Sequence, residues 1–250
     1  KLRSNSWEVH LMGLSHSPLI VTDGLLICLD AANKKSYPGS GNEWYDLSGN
    51  KHHMSLKNSP SFTTFNGAAC FDLDGSNDYG SCDGTISGST SATVSNLGVG
   101  GTNEKTVVCV AVIDDSVGSS QGGLFDLGNA GSTGRHYCLR LNSNFARFRA
   151  QFWSTPDYDF NYDGRAIWTM YSVVYGSDKI GKTYGNDGVL LGNDGGAYNL
   201  ATSGSRAFEM GRYNGGSYFG GKVSQYLVYN KALTPEEIQQ NYRAIRGRYK

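Results

Sequence analysis

Acidic and amide side chains occupy alternate positions in one segment of the sequence. The segment contains Asp157, Asp159, Asn161 and Asp163, followed by Gly164. Oxygen ligands at this spacing are typical of the start of an EF-hand calcium loop, which places a bidentate Glu at its twelfth position. Counted from Asp159, that position is Met170, inside an apolar run that predicts a strand. We therefore favour a half-buried strand with aromatic side chains inward and polar ones outward, and a calcium site at these four residues stays the alternative.

The predicted strands that precede this segment carry an arginine-rich face. They are residues 136–142 and 145–153, joined by a turn at 143–144. Strand alternation separates an apolar face from a polar one. The polar face contains His136, Cys138, Arg140, Arg147, Arg149 and Gln151, with Trp153 at its end. In this register Arg140 faces Arg147 and lies diagonal to Arg149, which costs roughly 0.2–1 kcal/mol per pair unless an anion separates the guanidinium groups.

Three arrangements would relieve this repulsion. The arginines could splay into solvent, pair with a carboxylate of the same chain, or bind an external anion such as an acidic glycan or a neighbouring subunit. If the acidic segment returns beside residues 145–153, its carboxylates share the face of the arginines and neutralise them. Arg140, Arg147, Arg149 and Trp153 are accordingly candidate residues for glycan or partner binding.

Tyrosines are frequent in two loops rich in Asn and Gly, residues 185–199 and 211–221. Tyrosine rings stack on sugar faces and Asn side chains bond sugar hydroxyls, so the sequence offers Tyr198, Tyr213 and Tyr218 as further candidate glycan contacts. The same composition also suits turns that need positive φ, and both interpretations stay open.

The glutamates do not form the pair that glycoside hydrolysis requires. The six of them are Glu8, Glu43, Glu104, Glu209, Glu236 and Glu237. Hydrolysis of a glycosidic bond uses two flanking carboxylates, and Glu209 is the one candidate on a predicted strand. His52 and His53 are adjacent and would point to opposite faces of a strand. The sequence also lacks the common hydrolase, zinc-protease and phosphate-loop motifs, so we predict that the chain is not an enzyme.

Composition excludes several other partners. Lys plus Arg and Asp plus Glu both number 22 among 250 residues, so no overall field attracts nucleic acid. No apolar stretch reaches the roughly 18 residues of a membrane span, which predicts no membrane insertion. The five cysteines, an odd number, lie mostly in apolar runs. They predict buried free thiols and assembly in a reducing cytoplasm.

Short apolar runs separated by Gly, Asn, Asp and Ser turns predict an all-β protein with two packed sheets. Besides the two strands above, the predicted strands are 24–30, 68–73, 106–114, 167–175 and 222–229. Residues 106–114 are apolar on both faces, which predicts a central strand, and residues 84–103 read as a long loop. One helix is predicted at 234–247, where Thr234, Pro235 and Glu237 form a capping box. We divide the chain into an N-terminal arm, 1–22, and one domain, 23–250.

Three segments in order, "DGLLICLDAANKKSYPGSGNEWYDLSGN", "FDLDGSNDYG" and "GGKVSQYLVYNKALTPEEIQQNYRAIRGRY", resemble the laminin-G-like branch of the concanavalin A-like lectin/glucanase superfamily. The version that begins "LSHSPLIVTDG" looks most like those of structural proteins in tailed bacteriophages, marine ones especially. The resemblance implies an antiparallel jelly-roll sandwich. It also leaves open a calcium ion at a rim of the sandwich, near Asp46 or Asp74, and implies no other cofactor.

The resulting expectation is a virion structural protein that serves as capsid decoration, fibre or tail-associated module. Its place would be the virion surface after assembly in the host cytoplasm. Expected partners are other virion proteins, further copies of the chain, and host surface polysaccharide. The alternative is a secreted or cell-surface lectin with an extracellular location, and a polysaccharide-cleaving enzyme comes third.

Overall fold

Two antiparallel sheets lie face to face in the computed structural model of this chain. It describes residues 19–114, 121–129, 131–142, 144–154 and 156–249. The predicted N-terminal arm therefore lies outside the described residues except for residues 19–22. The sandwich, with a helix at its C-terminal end, confirms the predicted all-β jelly roll.

Eighteen strands and two α-helices follow one another along the described chain. The strands are β1 (Leu25–Asp30), β2 (Glu43–Trp44), β3 (Met54–Lys57), β4 (Ser61–Phe65), β5 (Ala68–Asp74), β6 (Tyr79–Ser81), β7 (Lys105–Ile113), β8 (Gly123–Gly128), β9 (His136–Asn142), β10 (Asn144–Gln151), β11 (Tyr158–Asn161), β12 (Thr169–Tyr175), β13 (Gly181–Tyr184), β14 (Leu190–Asn193), β15 (Glu209–Met210), β16 (Arg212–Tyr213), β17 (Ser217–Tyr218) and β18 (Gly220–Tyr229). The helices are α1 (Val94–Leu97) and α2 (Pro235–Ile245), and short 3-10 turns occur at Asn186–Gly188 and Arg246–Arg248.

Each of the two large sheets has eight strands. The first sheet has the order β14-β13-β12-β7-β18-β5-β4, and β1 also pairs with β18. The second sheet has the order β11-β10-β9-β8-β15-β6-β3-β2, while β16 and β17 form a separate hairpin. Every residue of β7 is buried, and β7 lies between β12 and β18, so the predicted central strand is confirmed.

Aromatic side chains fill the space between the sheets. Trp44, Phe71, Phe125, Phe148 and Tyr226 are all fully buried there. The Trp44 and Phe71 ring centroids lie 4.8 Å apart in a tilted arrangement, within the range in which aromatic pairs stabilise a core beyond their buried area. Inward-facing strand positions therefore form one continuous core.

Residues 84–103 contribute to this core although the sequence predicts a long loop there. The segment contains α1, and Ile86, Val94, Leu97 and Val99 are buried. Thr93 caps α1 by accepting the Asn96 N–H at 3.2 Å. The apolar residues are too widely spaced for a strand, but α1 places Val94 and Leu97 on one face of a helical turn, where both are buried.

The C-terminal helix α2 covers the outer face of the first sheet. Ile238 and Ile245 pack against Val108 and Leu227 of that sheet in a second apolar cluster. Val21, at the end of the predicted arm, joins this cluster, and its N–H donates to Asn241 Oδ1 at 2.8 Å. No helix among the described residues is long and apolar enough to cross a membrane.

All five cysteines are buried, and none forms a disulfide. Burial raises the pKa of the Cys70 thiol to about 11, so this thiol stays protonated at neutral pH and packs as a small apolar side chain. The structure therefore agrees with the predicted free thiols.

Removal of the α2 cap should measurably destabilise the protein. Thr234 Oγ1 accepts the Glu237 N–H at 3.3 Å, and Glu237 Oε2 accepts the Thr234 N–H at 3.0 Å. We expect Thr234→Ala to lower the free energy of unfolding by about 1 kcal/mol, measured by urea denaturation. Thr234→Ser keeps the hydroxyl and should remain within a few tenths of wild type; equal losses in both variants would contradict the capping role.

Candidate functional site

The β9–β10 hairpin keeps its arginines on one face but pairs them differently from the prediction. Arg140 lies opposite Arg149, and an irregularity between Asn144 and Phe148 shifts the register. The predicted partner of Arg140 was Arg147, so the pairing is wrong by two residues. Because side chains alternate with a period of two, an even shift leaves the division between the faces unchanged.

A carboxylate of the same chain lies between the arginines of β10. β11 pairs with β10 and places Asp159 opposite Arg149. Asp159 accepts Arg149 Nε at 2.7 Å and Arg147 Nη2 at 2.8 Å, and it also accepts Asn142 Nδ2 at 3.0 Å. The hydrogen bond from Arg149 is the main reason that the pKa of Asp159 is lowered. One carboxylate therefore serves two guanidinium groups.

The other two aspartates of the acidic segment also bind groups of the same chain. β11 is a strand whose Tyr158 and Phe160 face the core, as the alternation predicts. Asp157 accepts the Phe152 N–H at 2.7 Å, and Asp163 binds Arg165 in a bidentate pair. Asn161 is exposed. A calcium loop over these residues does not match this geometry, because β11 is a regular strand and Met170 lies within β12.

The two rim positions offered for calcium also bind backbone groups. Asp46 accepts the N–H groups of Cys28 at 2.8 Å and His52 at 3.0 Å. Asp74 Oδ1 accepts the Ser76 N–H at 2.8 Å and the Asn77 N–H at 3.1 Å. These bonds explain both carboxylates as parts of turns, and calcium binding stays a prediction from the sequence.

The hairpin of β16 and β17 lies across the outer face of the second sheet. Gly122 and Gly123 permit this approach, because a Cβ at Gly123 would lie 2.7 Å from the Arg212 carbonyl oxygen. At Gly122 a Cβ would lie 2.5 Å from the Tyr218 carbonyl oxygen. Gly122 and Gly123, at the start of β8, thus allow the hairpin to bring Tyr213 onto the arginine-bearing face.

Tyr213 packs between buried polar side chains. The Arg140 guanidinium carbon lies 4.9 Å from the Tyr213 ring centroid, and the His136 ring lies 5.6 Å away. Arg140 donates to Gln151 Oε1 and to the Leu141 carbonyl, and it forms no ion pair within the described residues. Tyr213 and Arg140 are both buried. Their role is therefore to hold the hairpin in place rather than to face a ligand.

Trp153 occupies a strained turn next to this packing. Its ring centroid lies 6.3 Å from that of His136. Trp153 and Ser154 have φ of 73° and 76°, which is rare for residues with a Cβ and costs about 1–3 kcal/mol at each. The Gly134 N–H donates to the Trp153 carbonyl at 3.3 Å. The turn leaves Trp153 partly exposed. We call the polar and aromatic side chains of this face the arginine–aromatic cluster: His136, Arg140, Arg147, Arg149, Trp153 and Tyr213.

Two predicted tyrosines lie outside this cluster. Tyr218 is at the far end of the hairpin, opposite Arg212, with its ring 6.2 Å from that of Tyr79. Tyr198 lies in a loop, where its carbonyl accepts the Tyr175 hydroxyl at 2.8 Å. Its ring packs at the edge of the core. The structure therefore brings together five of the seven predicted binding residues and separates these two.

The buried carboxylate of Asp126 organises the floor of the cluster, and the sequence interpretation did not single it out. It accepts a hydrogen bond from His136 Nε2, and Oδ2 accepts Arg206 Nη1 at 3.2 Å and the Asn214 N–H at 2.6 Å. Asp126 and His136 are fully buried. A single Asp within the apolar run GLFDLG was the available signal, because such a group needs partners when buried.

Glu209, the predicted strand-borne acid, is tied to a neighbour. It binds Arg212 through two hydrogen bonds, of 3.0 and 2.5 Å, and is buried. The Arg212 guanidinium in turn lies 3.7 Å from the Tyr79 ring centroid. Glu209 therefore anchors β16 to the second sheet.

The exposed part of the arginine–aromatic cluster has hydrogen-bond donors that Asp159 does not use. The side chains of Arg147 and Arg149 are 45% and 31% exposed, and Asp159 is the one carboxylate that pairs with either of them in the described chain. Two guanidinium groups carry ten N–H donors, far more than one carboxylate accepts. Trp153, two residues beyond the end of β10, adds a partly exposed aromatic ring further along the chain.

Comparisons with known proteins agree with the fold. A model of the Laminin_G_3 family, described as the concanavalin A-like lectin/glucanases superfamily, matches residues 85–239. No curated protein sequence matches the chain. Among solved structures, a Trypanosoma rangeli sialidase in complex with the inhibitor DANA has a TM-score of 0.63 at 16% identity, covering 89% of this chain and 33% of the sialidase. The same sialidase in complex with sialic acid gives 0.60 at 15% identity, over 88% of this chain and 33% of the other. The receptor-binding domain of botulinum neurotoxin C/D mosaic serotype gives 0.58 at 12% identity, over 90% and 52%.

These likenesses contradict the prediction that the chain is not an enzyme. Sialidases are among the structures that share its fold, and a mutant of the same sialidase displays trans-sialidase activity. At 12–16% identity the likeness extends to the fold alone. This chain spans about a third of the length of the sialidases, so their activity is not transferred to it.

Proposed function

Because the chain belongs to the Laminin_G_3 family of the concanavalin A-like lectin/glucanases superfamily, we propose that it is a glycan-binding module. Its ligand is an acidic glycan, bound through carboxylate or sulfate groups on the exposed part of the arginine–aromatic cluster. The observation that carries the proposal is the shared Asp159, which leaves donors of both Arg147 and Arg149 available to a ligand.

The geometry favours an acidic sugar over a neutral one. Guanidinium groups form bidentate, charge-assisted hydrogen bonds with planar anions. Asp159 holds both arginines at one edge of the second sheet, so their rotamers are largely fixed before a ligand arrives. Preorganisation reduces the entropy that binding must overcome. Trp153 would supply the apolar contact with the sugar ring.

The virion surface is the proposed place of this module. The support is the version of the family that begins "LSHSPLIVTDG", which resembles those in structural proteins of tailed bacteriophages, together with the lectin-like fold. In this setting the module would be a decoration, fibre or tail-associated component that contacts host polysaccharide, assembled with further copies of itself and other virion proteins. A secreted or cell-surface lectin is the alternative.

Electron microscopy of native particles labelled with antibody distinguishes the virion protein from the lectin, because label absent from every particle would refute the virion setting.

Removal of one arginine should weaken anion binding selectively. A charge-assisted hydrogen bond contributes about 1.5–3 kcal/mol, so we expect Arg149→Ala to raise the Kd for an acidic oligosaccharide by roughly 10- to 100-fold. Calorimetric titration with a hexuronic acid oligomer and a sulfated hexose oligomer measures this change. Arg243→Ala, an exposed arginine on α2 at the opposite side of the sandwich, removes the same charge and should leave the Kd unchanged.

Asp159→Asn provides a test of the opposite sign. The carboxylate competes with the ligand for Arg147 and Arg149. The Asn side-chain oxygen can still accept an arginine N–H and keep the arginines in place, whereas the competing charge is lost, so the substitution should lower the Kd. If Arg149→Ala and Arg243→Ala weaken binding equally, or if Asp159→Asn weakens it, the arginine–aromatic cluster is not the binding site.

A further inference from the structure

A surface cavity lies at the edge of the second sheet opposite the arginine–aromatic cluster. Its volume is about 320 Å³, and it is lined by Pro38, Ser40, Gly41, Asn42, Glu43 and Tyr45. β2 is the last strand of that sheet, whereas β11 and β10 are the first. The cavity is thus separated from the arginines by the width of the sheet.

The loop that forms the cavity is held by internal hydrogen bonds. The Tyr45 N–H donates to the Ser36 carbonyl at 2.7 Å, and Ser36 Oγ donates to the Tyr45 carbonyl at 2.6 Å. Tyr37, which is buried against Phe71, donates through its hydroxyl to the Gly41 carbonyl at 2.9 Å. The cavity is therefore preformed, which reduces the cost of ordering a loop on binding.

The charge of the cavity is the reverse of that at the arginines. Glu43 is exposed and forms no ion pair in the described part of the chain; it accepts the Tyr45 hydroxyl. This bond raises the pKa of Tyr45, so the phenol stays protonated and remains a donor. The bond uses one carboxylate oxygen of Glu43 and leaves the other available as an acceptor. Tyr45 itself is partly exposed. An anionic ligand would be repelled by Glu43.

His53 supports the Tyr45 ring. The two ring centroids lie 5.2 Å apart at 76°, and His53 Nδ1 accepts the Asp46 N–H at 3.0 Å. That bond requires the proton of a neutral imidazole to be on Nε2. Burial is the main cause that lowers the pKa of His53, so the ring is neutral at pH 7. An edge-on imidazole thus fixes the plane of the tyrosine ring without adding positive charge.

We propose that this cavity is a separate binding site for a neutral sugar residue. The partly exposed Tyr45 ring would stack on the apolar face of the pyranose, Glu43 would accept hydrogen bonds from adjacent hydroxyls, and the Asn42 amide would bond a third oxygen. The site shares no residue with the arginine–aromatic cluster, so it does not depend on the function proposed there.

The test is titration of the intact chain with methyl glycosides of glucose, galactose and mannose, followed by saturation-transfer NMR. We expect saturable binding of at least one glycoside, weakened tenfold or more by Tyr45→Ala and about fivefold by Glu43→Gln. Tyr45→Phe keeps the stacking ring and should bind more tightly than Tyr45→Ala. Glu236→Gln, an exposed glutamate of α2, is the matched control and should bind as wild type.

Two results would overturn the proposal. One is that the folded wild-type chain, verified by its thermal transition, saturates with none of the three glycosides. The other is binding that Tyr45→Ala leaves unchanged. Arg149→Ala should bind the neutral glycosides with the same affinity as wild type, whether or not it binds acidic oligomers. The two proposed sites are therefore tested independently.

Discussion

Asp126→Ala should lower the free energy of unfolding by about 3 kcal/mol. The substitution removes the acceptor of three donors, on His136, Arg206 and the Asn214 backbone. Hydrogen bonds to a charged group contribute about 1.5–3 kcal/mol each, and donors left unpaired in a buried site add a desolvation cost. Asp126 itself no longer has to be buried as a charge, which offsets part of the loss. Urea denaturation at pH 7 measures the difference.

The same substitution should loosen the β16–β17 hairpin locally. The Asn214 N–H would lose its 2.6 Å bond to Asp126, so its hydrogen exchange should accelerate more than that of amides in β7. Asp163→Ala removes a carboxylate from an exposed pair with Arg165 and should change stability little. If Asp126→Ala and Asp163→Ala have equal effects, the buried network does not hold the hairpin.

The arginine-rich hairpin shows what alternation can and cannot predict. The period-two pattern assigns each side chain of β9 and β10 to a face, and the assignments are confirmed for residues 136–142 and 147–151, whose side chains the structure describes. Which residues lie opposite each other depends on the turn. The irregularity between Asn144 and Phe148 cannot be seen in the alternation of apolar and polar residues. That a carboxylate of the acidic segment neutralises the arginines could be predicted. Asp159 alternates with the buried Tyr158 and Phe160, so its side chain lies on the polar face beside β10.

Contacts made by the β16–β17 hairpin could not be predicted in the same way. Tyr213 reaches Arg140 and His136 because Gly122 and Gly123 permit a close approach, and no local sequence pattern relates residue 123 to residue 212. The composition of the loop offered Tyr213 as an exposed glycan contact. It is instead buried, and Trp153 is the aromatic ring of the cluster that remains half-exposed.

The prediction that the chain is not an enzyme was wrong because it rested on too narrow a test. The absence of paired glutamates tests one reaction mechanism on one chain. The fold recognised here occurs in sialidases of which it covers only 33%, so residues within this domain cannot decide what a longer protein does. Function must therefore be tested at named residues, and fold likeness does not supply it.

Lys105→Met should stabilise the protein, by an amount that depends on pH. Lys105 is 1% exposed, and its ammonium group bonds only the Gly101 carbonyl, at 3.1 Å, within the described chain. Burial, with a smaller contribution from Lys179, lowers the pKa of Lys105 to about 7. The shift from 10.5 corresponds to about 5 kcal/mol. The rings of Tyr175 at 4.7 Å and Tyr137 at 5.7 Å attract the cation by about 1–2 kcal/mol, so we expect a net gain of about 3 kcal/mol.

The sign and the pH window follow from proton linkage. Between pH 7 and 10.5 the unfolded chain holds the Lys105 proton and the folded chain does not, so wild-type stability rises with pH. Below pH 7 both states are protonated, and the cost of burying the charge is fully present. Denaturation at pH 6.5 should thus show the largest advantage of Lys105→Met, and the advantage should shrink toward zero near pH 10.5. Lys34→Met, at an exposed lysine, should have the same free energy of unfolding as wild type at pH 6.5 and at pH 10.5. An advantage of Lys105→Met that is the same at pH 6.5 and pH 10 would mean that packing, rather than the buried charge, causes it.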